Sequence, residues 1–308
     1  MGRLLMVTYH YVRDLPNTPY PKIKGLLISE FRRQLEVLSS RYQMATWESI
    51  TEFLKGTYKP KRDMCYLTFD DGFRDHYENV LPILIEKDMT AAFFPITGCL
   101  EENVVASAHK NHFLMASLSF QDLYERFTRI IRAVAPNLSL TADPKVVQAT
   151  YPWEEPEVAT YKYYVNFSLP VHIREQVLDA LFVEVFEDER AFAAELYMNW
   201  DQVQEMRRLG MTIGGHSHRH RALVSLSLED QADDLKVCYD ILSGQLPGAD
   251  GIPFCYPYGM ADSFTGKSAA LVEKAGFCAA VTTIEGWDGP ASDPYLLHRV
   301  DTREVEKF

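Results

Sequence analysis

The sequence predicts an α/β protein, a distorted or incomplete (β/α) barrel of about seven strands with a mostly helical insertion at about residues 99–199. Short apolar runs alternate with stretches of helical period on both sides of that insertion, and such alternation implies a largely parallel sheet. The chain has 308 residues, 47% of them hydrophobic and 24% charged, so one large barrel with a full core is within reach. An acidic doublet and a histidine cluster fall at the ends of expected strands, where barrels of this kind build their sites.

Leu4 to His10 reads as the first core strand. Ser29 to Leu38 places apolar residues at helical spacing behind a serine cap and an early glutamate, and Trp47 to Leu54 is a second short helix. Met64 to Phe69 is a compact apolar strand ending at Asp70 and Asp71; Tyr77 to Lys87 reads as a helix and Thr90 to Ile96 as the next strand. In the insertion, Phe113 to Ala133 and Ile173 to Leu196 have helical periodicity, with Pro-rich and Tyr-rich connections at 151–156 and 161–164. Trp200 to Leu209 and Ser227 to Leu242 are helices on either side of a strand, Met211 to Gly215, that ends at His216. Ile252 to Tyr256, Phe277 to Thr283 and Tyr295 to Val300 complete the strands, with Gly276 as C-cap of a helix from Ser268 to Ala275.

The formal net charge of -12 and pI near 5.2 argue against binding nucleic acid or an anionic lipid surface by charge, since both need basic patches. Five widely spaced cysteines without a C-x-x-C pair indicate neither a disulfide framework nor a zinc knuckle, and reduced thiols in cytosol are expected. No run of about 18 apolar residues exists to span a bilayer, and no signal-peptide pattern precedes the first strand, so a cytoplasmic location is expected.

Thr68-Phe69-Asp70-Asp71-Gly72 and His216-Ser217-His218-Arg219-His220 carry the chemistry. Neighbouring strand residues face opposite sides, so both aspartates serve one cavity only if the chain leaves strand geometry there, which Gly72 eases. Two imidazoles four residues apart and one carboxylate can hold a divalent ion with positions left open, as a catalytic rather than a structural site requires. The other carboxylate is then free to act as a base. Taken singly, Asp-Asp-Gly is also a solvated turn and the histidines a surface loop. His218, between the expected ligands, is expected to face away.

These two motifs resemble the first two motifs of the polysaccharide deacetylases, the NodB-homology or carbohydrate esterase family 4 group. The resemblance extends to Tyr9-His10, to Phe31 to Leu38, to Leu81-Pro82-Ile83-Leu84 with Thr90 to Phe94, and to Phe254-Cys255-Tyr256-Pro257-Tyr258-Gly259. It implies Asp70 as general base, and Asp71, His216 and His220 as ligands of Zn²⁺ or another divalent ion such as Co²⁺, Ni²⁺, Mn²⁺ or Fe²⁺. It implies hydrolysis of an N-acetyl group on an amino sugar of a surface polysaccharide or its precursor, with an N-acetylated sugar, oligosaccharide or lipid-linked glycan as partner. Tyr256 falls where the family places an oxyanion-stabilising N–H and an aromatic wall, although Tyr-Pro-Tyr-Gly is also an ordinary turn. Leu296-Leu297-His298 matches the family's Leu-x-His, making His298 the candidate acid, yet a neighbour such as Arg299 can turn it to the wrong face.

The family's third-motif arginine is missing upstream of Phe254, and Arg299 is a candidate replacement that would keep a carboxylate ionised. His10 either lines the pocket from the first strand or, the favoured reading, sits in the core; Trp287-Asp288 falls where a Trp or Asp would orient the acid, and His109 and His112 are expected on a solvated helix face. The alternatives are a deformylase or cyclic-amide hydrolase on the same metal site, and a glycan-binding relative without catalysis. The two-His, one-carboxylate set also occurs in non-haem iron oxygenases, against which the adjacent Asp70 argues.

Overall fold

Residues 2–248 and 251–308 are described by the computed structural model. Seven short parallel segments build the barrel: β1 (Leu4–Tyr9), β2 (Met64–Asp71), β3 (Ala91–Pro95), β4 (Thr212–Ile213), β5 (Phe254–Cys255), β6 (Ala280–Val281) and β7 (Val300–Asp301). The sheet runs β7-β1-β2-β3-β4 through parallel ladders. Strands β5 and β6 pair with each other, joined to the rest by single parallel bridges, Gly215 with Phe254 and Val281 with Leu297. The barrel is therefore distorted, with two thin seams. Proline supplies no N–H to a ladder, and Pro253 and Pro257 flank β5, which shortens the strand expected over Ile252 to Tyr256.

Strand parity sets the interior. Leu4 and Met6 of β1, Met64 and Tyr66 of β2, Ala92 and Phe94 of β3, Cys255, Val281 and Leu297 share one buried cluster. The alternate residues face the helices: Tyr9, Phe69 and Phe93 stack in a row at 5.1 and 4.8 Å, with Phe31 of the helix Ile28–Arg41 set edge-on against Tyr9. Such rings bury enough area to anchor that helix, each contributing about 1.5–3 kcal/mol on burial.

The helix Ile28–Arg41 starts one residue earlier than expected and has no side-chain cap, so Ser29 lies inside its first turn. Trp47–Leu54 is capped by Thr46 in a reciprocal box with Ser49. Gly276, at φ 110, ends the helix Gly266–Ala275. The helix expected over Tyr77 to Lys87 begins as a π-helical turn, His76–Val80, and continues as Leu81–Glu86. Pro82 explains the slip, because its ring cannot accommodate the carbonyl four residues back and it has no N–H to offer it.

The chain divides into two compact units, one built on the barrel and the other comprising Pro19–Ile23 and Val105–Phe192. In the second, the long helix expected over Phe113 to Ala133 is two, Ser107–Ser117 and Phe120–Val134, because Ser119 caps the latter through the N–H of Asp122. The helix expected over Ile173 to Leu196 also divides, at Glu187 with φ 58. Residues 161–164, expected as a connection, are helical. No helix among the described residues is long and apolar enough to cross a membrane.

Candidate active site

Continuing the alternation of β2 past Tyr66 puts Thr68 and Asp70 on the interior, at the C-terminal end of the barrel. Asp71 would face the helices if the strand continued. Instead its φ is 77 and that of Gly72 is 74, and the left-handed step returns the Asp71 carboxylate to the same cavity as Asp70. Only glycine suits the second position, since a Cβ there would also lie 2.7 Å from the Pro95 side chain.

The histidine loop leaves β4 with two more left-handed residues, Ser217 at φ 60 and His220 at φ 52. Hydrogen bonds hold it in that shape. The His220 N–H donates to Ser217 Oγ at 2.8 Å, and the N–H groups of His218 and Arg219 donate to the two Asp234 carboxylate oxygens at 2.9 and 3.0 Å. The loop carbonyls of Ser217 and His218 accept from Thr97 and Gly98, where a Cβ on Gly98 would fall 2.3 Å from the His218 oxygen.

His216 is buried, and its Nδ1 lies 2.8 Å from the Cys255 carbonyl oxygen. A carbonyl only accepts, so Nδ1 carries the proton and Nε2 presents a lone pair to the cavity. Burial lowers the pKa of His216 against the pull of Asp70 and Asp71, favouring the neutral ring a ligand needs. Asp71 Oδ1 lies 3.5 Å from His216 Nε2 and 3.4 Å from His220 Nε2. Ligands about 2.0–2.1 Å from one ion at tetrahedral angles stand roughly 3.3–3.4 Å apart, so these separations fit a shared zinc-sized cation. All three ligand atoms lie within 4.8 Å of one another.

Asp70, His216 and Cys255 form a second geometric group. It is unsuited to a cation, because Arg299 already occupies it: Nη1 and Nη2 reach the two Asp70 oxygens at 2.7 Å each, and Nη2 also reaches Cys255 Sγ at 3.1 Å. Burial pushes the Cys255 thiol well up, so no thiolate is on offer. Arg299 is itself enclosed, donating from Nε to the Thr282 carbonyl at 2.6 Å and from Nη1 to Thr68 Oγ1 at 3.0 Å. For Asp70, burial pulls the pKa upward, but the charge and hydrogen bonds of Arg299 more than offset it and hold the carboxyl well below the usual range.

Neither Tyr256 nor His298 sits as the sequence suggested. The Tyr256 N–H donates to the Val281 carbonyl, and its buried ring stacks on Phe264 while its hydroxyl donates to the Tyr295 carbonyl, so it has no N–H to give an oxyanion. His298 is placed away from the cluster. Leu297 is in the interior cluster and Arg299 reaches Asp70, so the intervening His298 faces outward by strand parity. Val300 pairs with Val7 and Thr68 with Thr8, which sets His298 level with Leu5 and Asp70 level with His10, roughly 16 Å of strand rise apart. Its Nδ1 lies 2.9 Å from buried Asp288, whose backbone pairs with Leu4 at the far end of β1.

His10, expected in the core, is at the mouth. It shares parity with Leu4, Met6 and Thr8, its side chain is 45% exposed, and its Nε2 lies 3.9 Å from Asp70 Oδ2. Thr8 Oγ1 donates to the same oxygen at 3.3 Å. Tyr258, 39% exposed, lays its ring 5.3 Å from that of His220 and walls the cavity on that side. His218 turns away, to Thr97 and Glu102. In the second unit His109 is buried rather than solvated, and its ring contacts that of His112.

The parity of β1, read at positions 4, 6, 8 and 10, was the available signal for His10. Nothing in sequence spacing marked Asp234, which lies a helix away from the loop it holds.

A buried carboxylate held ionised beside a two-imidazole, one-carboxylate triangle at the C-terminal end of a barrel defines a hydrolase-type site. Residues 57–136 and 173–279, more than half of the sequence, match the polysaccharide deacetylase family, and the chain belongs to that family of carbohydrate deacetylases. Among solved structures it is similar to IcaB from Ammonifex degensii, at 17% identity and a TM-score of 0.60 over 100% of this chain and 95% of that one. It is also similar to the Streptococcus pyogenes deacetylase PplD in complex with acetate, at 17% identity and TM-score 0.59 over 97% and 92% of the two chains. The deacetylase domain of BpsB from Bordetella bronchiseptica follows at 15%, with TM-score 0.57 over 97% and 95%. These likenesses speak to the shared fold. No curated protein matches by sequence.

Proposed function

We propose that the protein is a metal-dependent N-deacetylase that hydrolyses the acetamide of an N-acetylated amino sugar in a polysaccharide, an oligosaccharide or a glycan precursor. The observation that carries this reading is the Asp71, His216 and His220 triangle beside an Arg299-held Asp70. Acetate in the similar PplD structure agrees with an acetyl group as the one removed.

Asp71, His216 and His220 would hold a divalent ion, Zn²⁺ by donor set and spacing, which when bound polarises a carbonyl and acidifies water. Asp70 takes the proton from the attacking water. Arg299, against both Asp70 oxygens at 2.7 Å, keeps that carboxylate ionised and fixes its orientation toward the water it deprotonates. His10, at the open edge of the cavity with Nε2 3.9 Å from Asp70 Oδ2, gives a proton to the amine as the C–N bond breaks; acetate and the free amino sugar are the products. Exposed Tyr258 offers an aromatic face to a sugar ring beside His220.

Zinc-loaded protein is expected to release acetate from N-acetylglucosamine oligomers. Product analysis separates this from deformylation, which would yield formate. Failure to hydrolyse the amide of any acylated amino sugar with zinc bound would overturn the reading.

A further inference from the structure

The turn after the acidic doublet is irregular, and its side chains converge on one short segment. From the π-helical turn His76–Val80, His76 Nε2 lies 2.9 Å from the His10 carbonyl oxygen and Asn79 Nδ2 donates to the Val12 carbonyl at 2.9 Å. Just before it, Asp75 receives Arg13 in two hydrogen bonds of 2.7 and 2.9 Å. Segment 10–13 is thereby gripped at His10, Val12 and Arg13. Wide turns of this kind recur at functional positions.

Packing alone does not account for His76. It is fully buried, with the rings of Phe69, Phe73 and Phe93 at 5.4 to 5.8 Å. Its Nδ1 has no hydrogen-bond partner among the described residues, and a buried unsatisfied nitrogen costs stability that a leucine there would not. What the imidazole adds is the N–H to the His10 carbonyl, since that oxygen only accepts.

We propose that Asp75, His76 and Asn79 form a clamp, positioning residues that hold the strand-end segment bearing His10 against Asp70 and so keep proton donor and acceptor at a working separation. This rests on the reading of His10 as the donor to the leaving amine. The stretch from Asp70 to Asn79 carries the base at one end and the clamp at the other, so a single piece of chain sets both partners.

The test uses the full zinc-loaded chain and an N-acetylglucosamine oligomer, with kcat, KM, zinc content and amide exchange of residues 10–13 measured for each variant. His76→Leu and Asn79→Ala are expected to lower kcat about ten- to a hundredfold, with KM and zinc content near wild type and exchange at 10–13 accelerated. His76→Gln, which retains a donor, recovers much of the loss. In a His10→Asn background His76→Leu adds no further loss. Collapse in His10→Asn with wild-type kcat in Asn79→Ala and His76→Leu, or losses that add in the double variant, would overturn the clamp alone. Full activity of His10→Asn would overturn the donor assignment and the clamp with it. Should His76→Leu not fold, half-buried Asn79 carries the same comparison.

Discussion

Arg299 meets Asp70 face on, with each guanidinium Nη 2.7 Å from a different carboxylate oxygen and both side chains buried. The two come from opposite ends of the sequence, yet β1, between β2 and β7 in the sheet, brings them within reach. Charge-assisted bidentate pairs of this kind fix geometry as well as ionisation. The Nε bond to Thr282 keeps the fork from swinging away.

Removing the arginine therefore strands a buried charge. Arg299→Met is expected to destabilise the fold by about 3–5 kcal/mol and to raise the Asp70 pKa. The base would then protonate at a higher pH, and the acid limb of the activity profile should move up. Arg299→Lys keeps the charge but not the fork, and should fall between the two. Denaturant melts and a kcat/KM profile across pH measure both effects; an unshifted acid limb in Arg299→Met would refute the coupling.

The two aspartates should separate by their variants. Asp71→Asn, His216→Ala and His220→Ala are expected to lose zinc together with activity, whereas Asp70→Asn should lose turnover by about 10²–10⁴-fold and keep its metal. Chelation should silence the wild type and added Zn²⁺ restore it. Metal analysis of dialysed variants alongside acetate release decides the point.

Much of this centre was legible in the sequence, for reasons that differ residue by residue. Asp70, Asp71, His216 and His220 stood out because their neighbours supply both chemistry and backbone: Gly72 permits the left-handed turn that brings the doublet together, and Ser217 caps its own loop. Arg299 was readable as a candidate replacement for the arginine missing upstream of Phe254, and it lies against Asp70. Tyr256 misled because an N–H is available only if no neighbouring strand uses it, and the pairing with Val281 depends on how β5 and β6 meet. In the same way β4 to β7 were visible as apolar runs, but each pairs over only two residues, with prolines beside β5 and single-bridge seams beside β5 and β6, and how strands meet at such seams is not encoded in local pattern.

Asp234 should prove essential to metal binding although it touches no ligand ring. Its carboxylate, mostly buried, accepts two consecutive N–H groups of the loop between His216 and His220. Burial raises its pKa, while the two N–H groups and His218 pull the other way. Without it, those donors are unsatisfied and the loop's two left-handed residues lose a restraint. Asp234→Ala is expected to weaken zinc binding about 10–100-fold, with Asp234→Asn, which keeps one acceptor, nearer to wild type. Competition titration against a chromogenic chelator reads this directly; unchanged affinity in the alanine variant would show that the loop holds its own shape.

His76 should make the metal-free protein sensitive to mild acid. Burial pushes its pKa down to about 4 from 6.5, outweighing the hydrogen bond to His10 and the nearby Asp71 and Asp70 charges. Between those values the unfolded chain binds a proton that the folded one refuses. Stability is thus fully present above about pH 6.5 and falls as pH drops towards 4, by roughly 3 kcal/mol. His216, whose pKa is also lowered by burial, acts in the same direction. Denaturant midpoints at pH 7.5 and 4.5 should show a smaller drop in His76→Gln than in wild type; equal drops would mean that other groups account for it.

His10 and His298 offer the sharpest contrast, because both are partly exposed imidazoles near a carboxylate and only one lies at the mouth. His298 is tied twice to Asp288, ring and backbone, at 2.9 and 2.8 Å, and Asp288 in turn exchanges backbone hydrogen bonds with Leu4. That arrangement fastens the segment before β7 to the start of β1, next to one of the single-bridge seams. Gly286 packs against the His298 ring at a distance that leaves no room for a side chain, as a structural joint requires. His298→Ala should therefore lower the melting temperature, by a few degrees for a loss of about 1–2 kcal/mol, and leave kcat of the folded protein within about twofold. His10→Asn should do the reverse, sparing the melt and lowering kcat by about 10²–10⁴-fold, as expected when a proton donor is removed. A large kcat loss in His298→Ala with an unchanged melt would return the acid to the position that its Leu-x-His spelling first suggested.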